Sequence, residues 1–400
     1  MSVQRNVSGW MVTLAALGIN LILGILYSWA IIKKALVDDW GWSNTEASLP
    51  YMVCVALLAF VTILGGRLQD KYGPKIIALI GGILFGTGLL LSAFAKNPTV
   101  MVLTFGVISG LGMGFGYAAA TPCAIKWFEP RKKGLIAGIV VAGIGLSAIY
   151  IGPLTAYLLR TSGIEHTFMF LGILALVGLI LFSLLLKNPP AGYVPLVKKN
   201  RPIVAHGEDF TWQQMIKTRP FILLWLTYLL SATAGLMLIG HIASIADIQA
   251  GWQAGFVLVV ILAIFNTSGR ILGGFLSDTI GRTNALLMVF VIQALNMFAF
   301  SFLDSIPLLI AGTAVAGLSY GALFALFPAT TADFFGIKNL GVNYGLIFTG
   351  WGVAGIVGPL LGGQVADLTG TYNVSYVVAG IMLLLGALLV KFIKAPAKRI

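Results

Sequence analysis

The chain has 400 residues, of which 58% are hydrophobic and 10% charged, and its formal net charge is +12. So little polar surface cannot cover a water-soluble globule, which places the chain in lipid. Nucleic acid is excluded as a partner by where the basic residues fall, since they are spread between apolar stretches on one side of a membrane.

A helix rising 1.5 Å per residue needs about 20 apolar residues to cross a hydrocarbon core of about 30 Å. Twelve stretches qualify, over residues 11–32, 48–66, 76–95, 101–125, 134–158, 168–187, 220–246, 252–276, 284–304, 307–334, 340–366 and 373–394. They are Gly- and Leu-rich runs without polar–apolar alternation, which predicts an all-α membrane protein and not a barrel. The first is too long, and too closely followed by others, for a cleaved signal sequence. Cys54 and Cys123 fall inside spans, far from any metal or redox spacing, and read as small apolar fillers. No cofactor is expected.

Placing both termini in the cytoplasm puts 20 of the 25 Lys and Arg on that side, leaving Lys33, Lys34, Lys96 and Arg160 outside and Arg270 within a span. This bias orients the chain in the cytoplasmic membrane and makes anionic lipid headgroups the partner of the basic excess. The long polar segment 188–219 separates residues 1–187 from 220–400 as a solvated linker between two six-helix halves.

The halves echo each other. Gly66-Arg67-Leu68-Gln69-Asp70-Lys71-Tyr72-Gly73-Pro74-Lys75 follows the second span, and Gly274-Phe275-Leu276-Ser277-Asp278-Thr279-Ile280-Gly281-Arg282 follows the eighth. The two aspartates are 278 − 70 = 208 residues apart, and Gly152-Pro153 recurs as Gly358-Pro359 at a spacing of 206. Two features repeating at nearly one spacing predict a duplicated unit. This pattern resembles the major facilitator superfamily, whose loop signature is a Gly, an Asp four residues on, and a Gly followed by basic residues. The resemblance implies twelve transmembrane helices in two pseudo-symmetric six-helix bundles, with Asp70, Asp278 and Arg282 as conformational latches. A plain helix-end cap is the other reading of the aspartates. In the fourth span Gly106, Gly110 and Gly114, with Gly112 and Gly116 alongside, present a smooth face for close helix contact.

An ionisable group within a span costs at least about 2.5–3.5 kcal/mol and calls for a reason. Arg270 stands in the eighth span, four residues before Gly274. Its planar, permanently charged fork suits a carboxylate, and Asn266 one turn earlier projects from the same face. The competing reading is snorkelling to the cytoplasmic interface. His241 and Asp247 in the outer half of the seventh span are candidates for proton coupling; a buried neutral histidine and a helix-end acid are the alternatives. Lys34 joins them as a basic residue that can reach inward from the first span, against a solvated lysine. Tyr27, Tyr117, Tyr320 and Trp351 offer apolar bodies with hydrogen-bonding tips, suited to a short organic anion, or else are ordinary packing.

Several stretches look like the oxalate/formate antiporter family and its monocarboxylate-transporting relatives. They are Leu26-Tyr27-Ser28-Trp29, Lys126-Trp127-Phe128 with residues 131–134 and Gly138, residues 319–324, Asp333-Phe334-Phe335-Gly336, and Asn343-Tyr344-Gly345. The resemblance implies that Arg270 binds the substrate carboxylate. Where the oxalate exchanger has a lysine in its eleventh helix, this chain has Trp351; where animal monocarboxylate transporters have an acid before the arginine, it has Asn266. One buried cation suits a monoanion carried with a proton better than a dianion. The expectation is therefore a monomeric symporter of the lactate or pyruvate type, with carboxylate exchange as the runner-up. A transporter-like nutrient receptor is the reading from another class. No nucleophile and base, metal cluster or phosphate loop stands at useful spacing, so an enzyme is not expected.

Overall fold

The computed structural model describes residues 2–190, 192–193, 208–252 and 255–396. Most of the linker thus lies outside the described residues, including Lys198, Lys199 and Arg201, as do Lys398 and Arg399.

Fourteen α-helices follow in order: α1 Ser2–Leu23, α2 Trp29–Trp40, α3 Asn44–Tyr72, α4 Pro74–Ser92, α5 Pro98–Met101, α6 Gly110–Ile125, α7 Lys133–Leu185, α8 Trp212–Met215, α9 Arg219–Ala250, α10 Phe256–Ile280, α11 Arg282–Phe300, α12 Ile306–Phe335, α13 Leu340–Thr369 and α14 Asn373–Val390. A 3-10 turn, Gly24–Ser28, joins α1 to α2, and a π-helical stretch, Val102–Ser109, joins α5 to α6. Among the described residues, eleven helical stretches are long and apolar enough to cross a membrane. One of them contains α7, which Gly163 breaks with φ 77° and ψ 179°, a conformation that favours glycine. Before the break Asn20 donates to Val140 O, and Gly152 faces Ile31. After it Phe168 packs beside Trp29 and Phe182 lies against Gly18. The chain therefore reverses at Gly163, and α7 makes two crossings, the fifth and sixth. The loop expected between them shrinks to one residue, with Thr167 Oγ1 donating to Gly163 O at 2.7 Å.

Local signals start the helices. Ser43 and Glu46 form a reciprocal capping box on α3, and Pro74, Pro98, Pro220 and Pro307 occupy first turns, where a missing N–H costs nothing. The repeated Gly-Asp signature is helical and not a loop, as Asp70 and Asp278 lie in the last turns of α3 and α10. The turn itself is confined to Gly73 and Gly281, with φ 90° and 91°.

Two compact units emerge. Unit 1 comprises residues 1–128, 139–201 and 339–345; unit 2 comprises 129–138, 202–338 and 346–400. Each unit thus includes a short helix start taken from the other half of the sequence.

Small residues set the packing. In unit 1, Gly106, Gly110 and Gly114 meet α3 at Pro50 O, Cys54 and Val61, while Gly112 meets α4 at Phe85. In unit 2, α10 and α12 lie side by side through Gly269 and Gly273 on one and Gly317 and Gly321 on the other. A methyl on Gly321 would run into Asn266 O, and one on Gly269 into Leu318 O. This close approach brings Asn266 and Arg270 to the polar and aromatic face of α12.

Candidate functional site

Arg270 is 1% exposed, so its side chain does not run out to the surface of the protein. Its Nε donates to Asn266 Oδ1 at 3.2 Å, one turn back on α10, and its Cζ lies 4.6 Å from the Phe324 ring centroid. Asn266 therefore spends its oxygen on orienting the guanidinium. The ring face attracts the cation and fixes its plane.

Around this pair α12 and α13 supply an aromatic group. Tyr320 meets Phe324 edge to face at 5.4 Å, Phe324 meets Trp351 at 6.0 Å, and Trp351 stacks on Phe348 at 4.9 Å and 15°. Trp351 Nε1 donates to Tyr320 OH at 2.8 Å. The cluster joins one cation to a tryptophan, a tyrosine and two phenylalanines, which is the surface a short anion with an apolar tail requires.

Arg270, Asn266, Tyr320 and Trp351 are thus brought together in unit 2, and the other candidates stand elsewhere. Tyr27 and Tyr117 belong to unit 1; Tyr27 is 45% exposed on the 3-10 turn, and Tyr117 is buried with its hydroxyl 3.5 Å from that of Tyr344. Lys34 is exposed on α2. His241 Nε2 is 2.9 Å from Pro359 O and its Nδ1 3.3 Å from Tyr372 OH, which ties it to α13 at Pro359 and to the start of α14. Asp247 is exposed, one turn from the end of α9.

The repeated aspartates hold helix starts. Asp70 accepts from Val342 N at 3.1 Å and Lys126 Nζ at 3.1 Å. Asp278 accepts from Gly134 N at 3.0 Å, Leu135 N at 2.7 Å and Arg282 at 2.5 Å. Arg282 also bonds Asp333 at 2.7 Å, and Asp333 in turn pairs with the buried Lys133 at 2.9 Å. N–H groups at a helix start carry partial positive charge, so each carboxylate meets complementary dipoles as well as a cation.

Phe324, Phe348, Lys126, Lys133 and Asp333 were not among the sequence candidates for function. Helical spacing points to the first two, which lie four residues from Tyr320 and three from Trp351. The charged three fall at span ends, where a sequence shows only topology.

The profile of the Major Facilitator Superfamily matches residues 9–306 and 274–400. The chain is 29% identical to the oxalate:formate antiporter of Oxalobacter formigenes over 95% of this chain and 90% of that one. It is also 29% identical to monocarboxylate transporter 13 of Bos taurus, over 95% and 88%. Among solved structures, the proton:xylose symporter XylE superposes with a TM-score of 0.73 at 14% identity, covering 98% and 97% of the two chains. The fucose transporter FucP in its outward conformation gives 0.73 at 17% identity, covering 97% and 99%. The chain belongs to the Major Facilitator Superfamily, a family of transporters and not of enzymes.

Proposed function

We propose that the protein is a secondary active transporter of small monocarboxylates, of the lactate and pyruvate type, carrying its anion with a proton by alternating access. The observation that carries this reading is the buried Arg270 guanidinium laid on Phe324 and steered by Asn266, within an aromatic group. A carboxylate placed on that fork gains charge-assisted hydrogen bonds, while a short alkyl tail faces rings. The cluster holds one cation, with Trp351 where the exchangers it resembles have a lysine. A monoanion neutralises it, and a proton taken up on an acidic group such as Asp247 offsets the charge the anion brings, so the loaded and empty carrier bear the same net charge. His241 and Asp247 are the proton-coupling candidates, with Lys34 third.

Asp70, Asp278 and Arg282 serve as gating residues in this scheme. Each aspartate holds, within its own unit, the start of a helix whose remainder belongs to the other unit, so rocking has to strain either those bonds or the helix that runs on from them. The setting is the cytoplasmic membrane, both termini inside, with the protein acting as a monomer.

The test is uptake of radiolabelled lactate into proteoliposomes under an inward proton gradient, comparing the native protein with Arg270→Ala. Gradient-driven uptake that disappears in the variant supports both symport and the anchoring role. Unchanged uptake in the variant removes Arg270 from the site, and no lactate uptake by folded native protein rejects the substrate class.

Carboxylate exchange is the second reading, favoured by the equal identity to the antiporter and to the monocarboxylate transporter. Counterflow without a pH gradient separates the two, because an exchanger needs only carboxylate on both sides.

A further inference from the structure

Unit 2 contains a small cavity, lined mostly by apolar surface with a few polar groups, that shares Tyr320 with the arginine cluster. Ser231 and Gly235 of α9, Phe290 and Gln293 of α11, and Ser319 and Tyr320 of α12 line it, with about 10 Å³ open to the centre of a water molecule. That is near the least volume that holds one water, provided two or more polar groups bind it.

Gln293 supplies the reason for a ligand. It is 3% exposed, and its Nε2 makes no hydrogen bond to any of the described residues. The orientation of the amide is set from outside. Asn296 Nδ2 donates to Gly312 O at 2.9 Å, which fixes the Asn296 amide, and the same nitrogen faces Gln293 Oε1 at 3.4 Å. Turning the Gln293 amide over would set two donors against each other, so its nitrogen stays on the other side. A buried amide nitrogen inside a membrane bundle has no bulk water to serve it. Ser231 completes the site: its hydroxyl donates to Thr227 O at 2.8 Å, leaving its oxygen to accept.

Tyr320 connects the cavity to the anion cluster. Its ring occupies the space left by Gly235, where a methyl group would strike Tyr320 Cδ2, and its hydroxyl accepts from Trp351. Whatever fills the cavity limits where that ring can go.

We propose that the cavity is a binding site for one ordered water, held by Gln293 Nε2 and Ser231 Oγ, and that Gln293 acts through it as a positioning residue for Tyr320. The second half of this inference rests on the anion-site reading, and the first half does not.

The experiment pairs a high-resolution structure of the full-length protein with transport kinetics of Gln293→Met, which keeps the length and removes both donors. Solvent density within hydrogen-bonding distance of Gln293 Nε2, lost in the variant, is the expected result; an empty cavity in the native protein overturns the site. In lactate uptake, Gln293→Met is expected to raise KM about threefold to tenfold while the maximal rate and the thermal midpoint stay near native. An unchanged KM overturns the positioning role, as does a loss confined to thermal stability. Ser231→Ala removes the second partner with less change of volume and is expected to shift KM in the same direction, which keeps the test decisive if Gln293→Met does not fold. If no carboxylate is transported, the density alone decides the water site, so failure of the site and failure of the anion reading are told apart.

Discussion

Arg270 owes its definition to two neighbours, the Asn266 oxygen at 3.2 Å and the Phe324 ring at 4.6 Å. Arg270→Lys keeps the charge but loses the Nε donor and the flat contact. It is expected to cut lactate uptake at least about tenfold while the protein still folds, as size-exclusion chromatography would show. Asn266→Asp places a carboxylate against Nε, where it competes with the substrate for the same fork. KM should then rise about tenfold, in line with about 1.5–3 kcal/mol for hydrogen bonds to charged groups. Trp351→Phe preserves the stack on Phe348 but removes the 2.8 Å bond to Tyr320. A rise in KM of about fivefold, from a loss of about 1 kcal/mol, is the expected outcome. Arg270 was legible in the sequence because a charge within an apolar stretch needs a reason. Phe324 and Phe348 were not, because phenylalanine in a lipid-embedded chain is the ordinary case and only contact separates a ring of the arginine cluster from the filler.

The helices show how small residues become geometry. Gly269 and Gly273 on α10, with Gly317 and Gly321 on α12, repeat every fourth residue and let two backbones touch beside the site. Gly321→Ala would drive a methyl into the Asn266 carbonyl, and the two helices would have to part. Overpacking of this kind costs about 1–3 kcal/mol. The expected result is a lower unfolding midpoint in detergent together with a raised KM, because Asn266 and Arg270 move with α10. The sequence displayed the glycine stripe of the fourth span plainly, yet it did not say which stripe served the site. Gly163 carries a similar lesson: its positive φ turns one helical run into two crossings within the polar stretch 160–167, and no proline was needed to stop the helix.

At the scale of the whole chain, the two halves repeat the backbone and vary the charge. Lys126 and Asp333 stand at corresponding places, 333 − 126 = 207 residues apart, with opposite sign. In unit 1 Asp70 is neutralised directly by Lys126, whereas in unit 2 Asp278 is neutralised by Arg282, which shares itself with Asp333 and Lys133. Both sets are neutral, reached by different pairings. Lys126→Met leaves Asp70, whose side chain is 6% exposed, without its cation. Removing one partner of a buried pair costs about 3–5 kcal/mol, so the unfolding midpoint should fall steeply, and Asp70→Asn in the same chain should restore much of it. A double-mutant cycle by thermal unfolding measures both.

Apolar length determined by itself that this is a helical membrane protein with many crossings, since lipid leaves the backbone no other way to satisfy its hydrogen bonds. The spacing of 208 between the two aspartates determined the duplication as well. Only the tertiary structure decided which polar residues meet: that Arg270 lies on Phe324, that the aspartates hold helix starts more than 140 residues away, and that Gln293 faces a cavity. The reason is that hydrophobic thickness acts on each helix alone, whereas a site depends on how helices rotate and approach, which is settled by small-residue contacts between segments far apart in the chain.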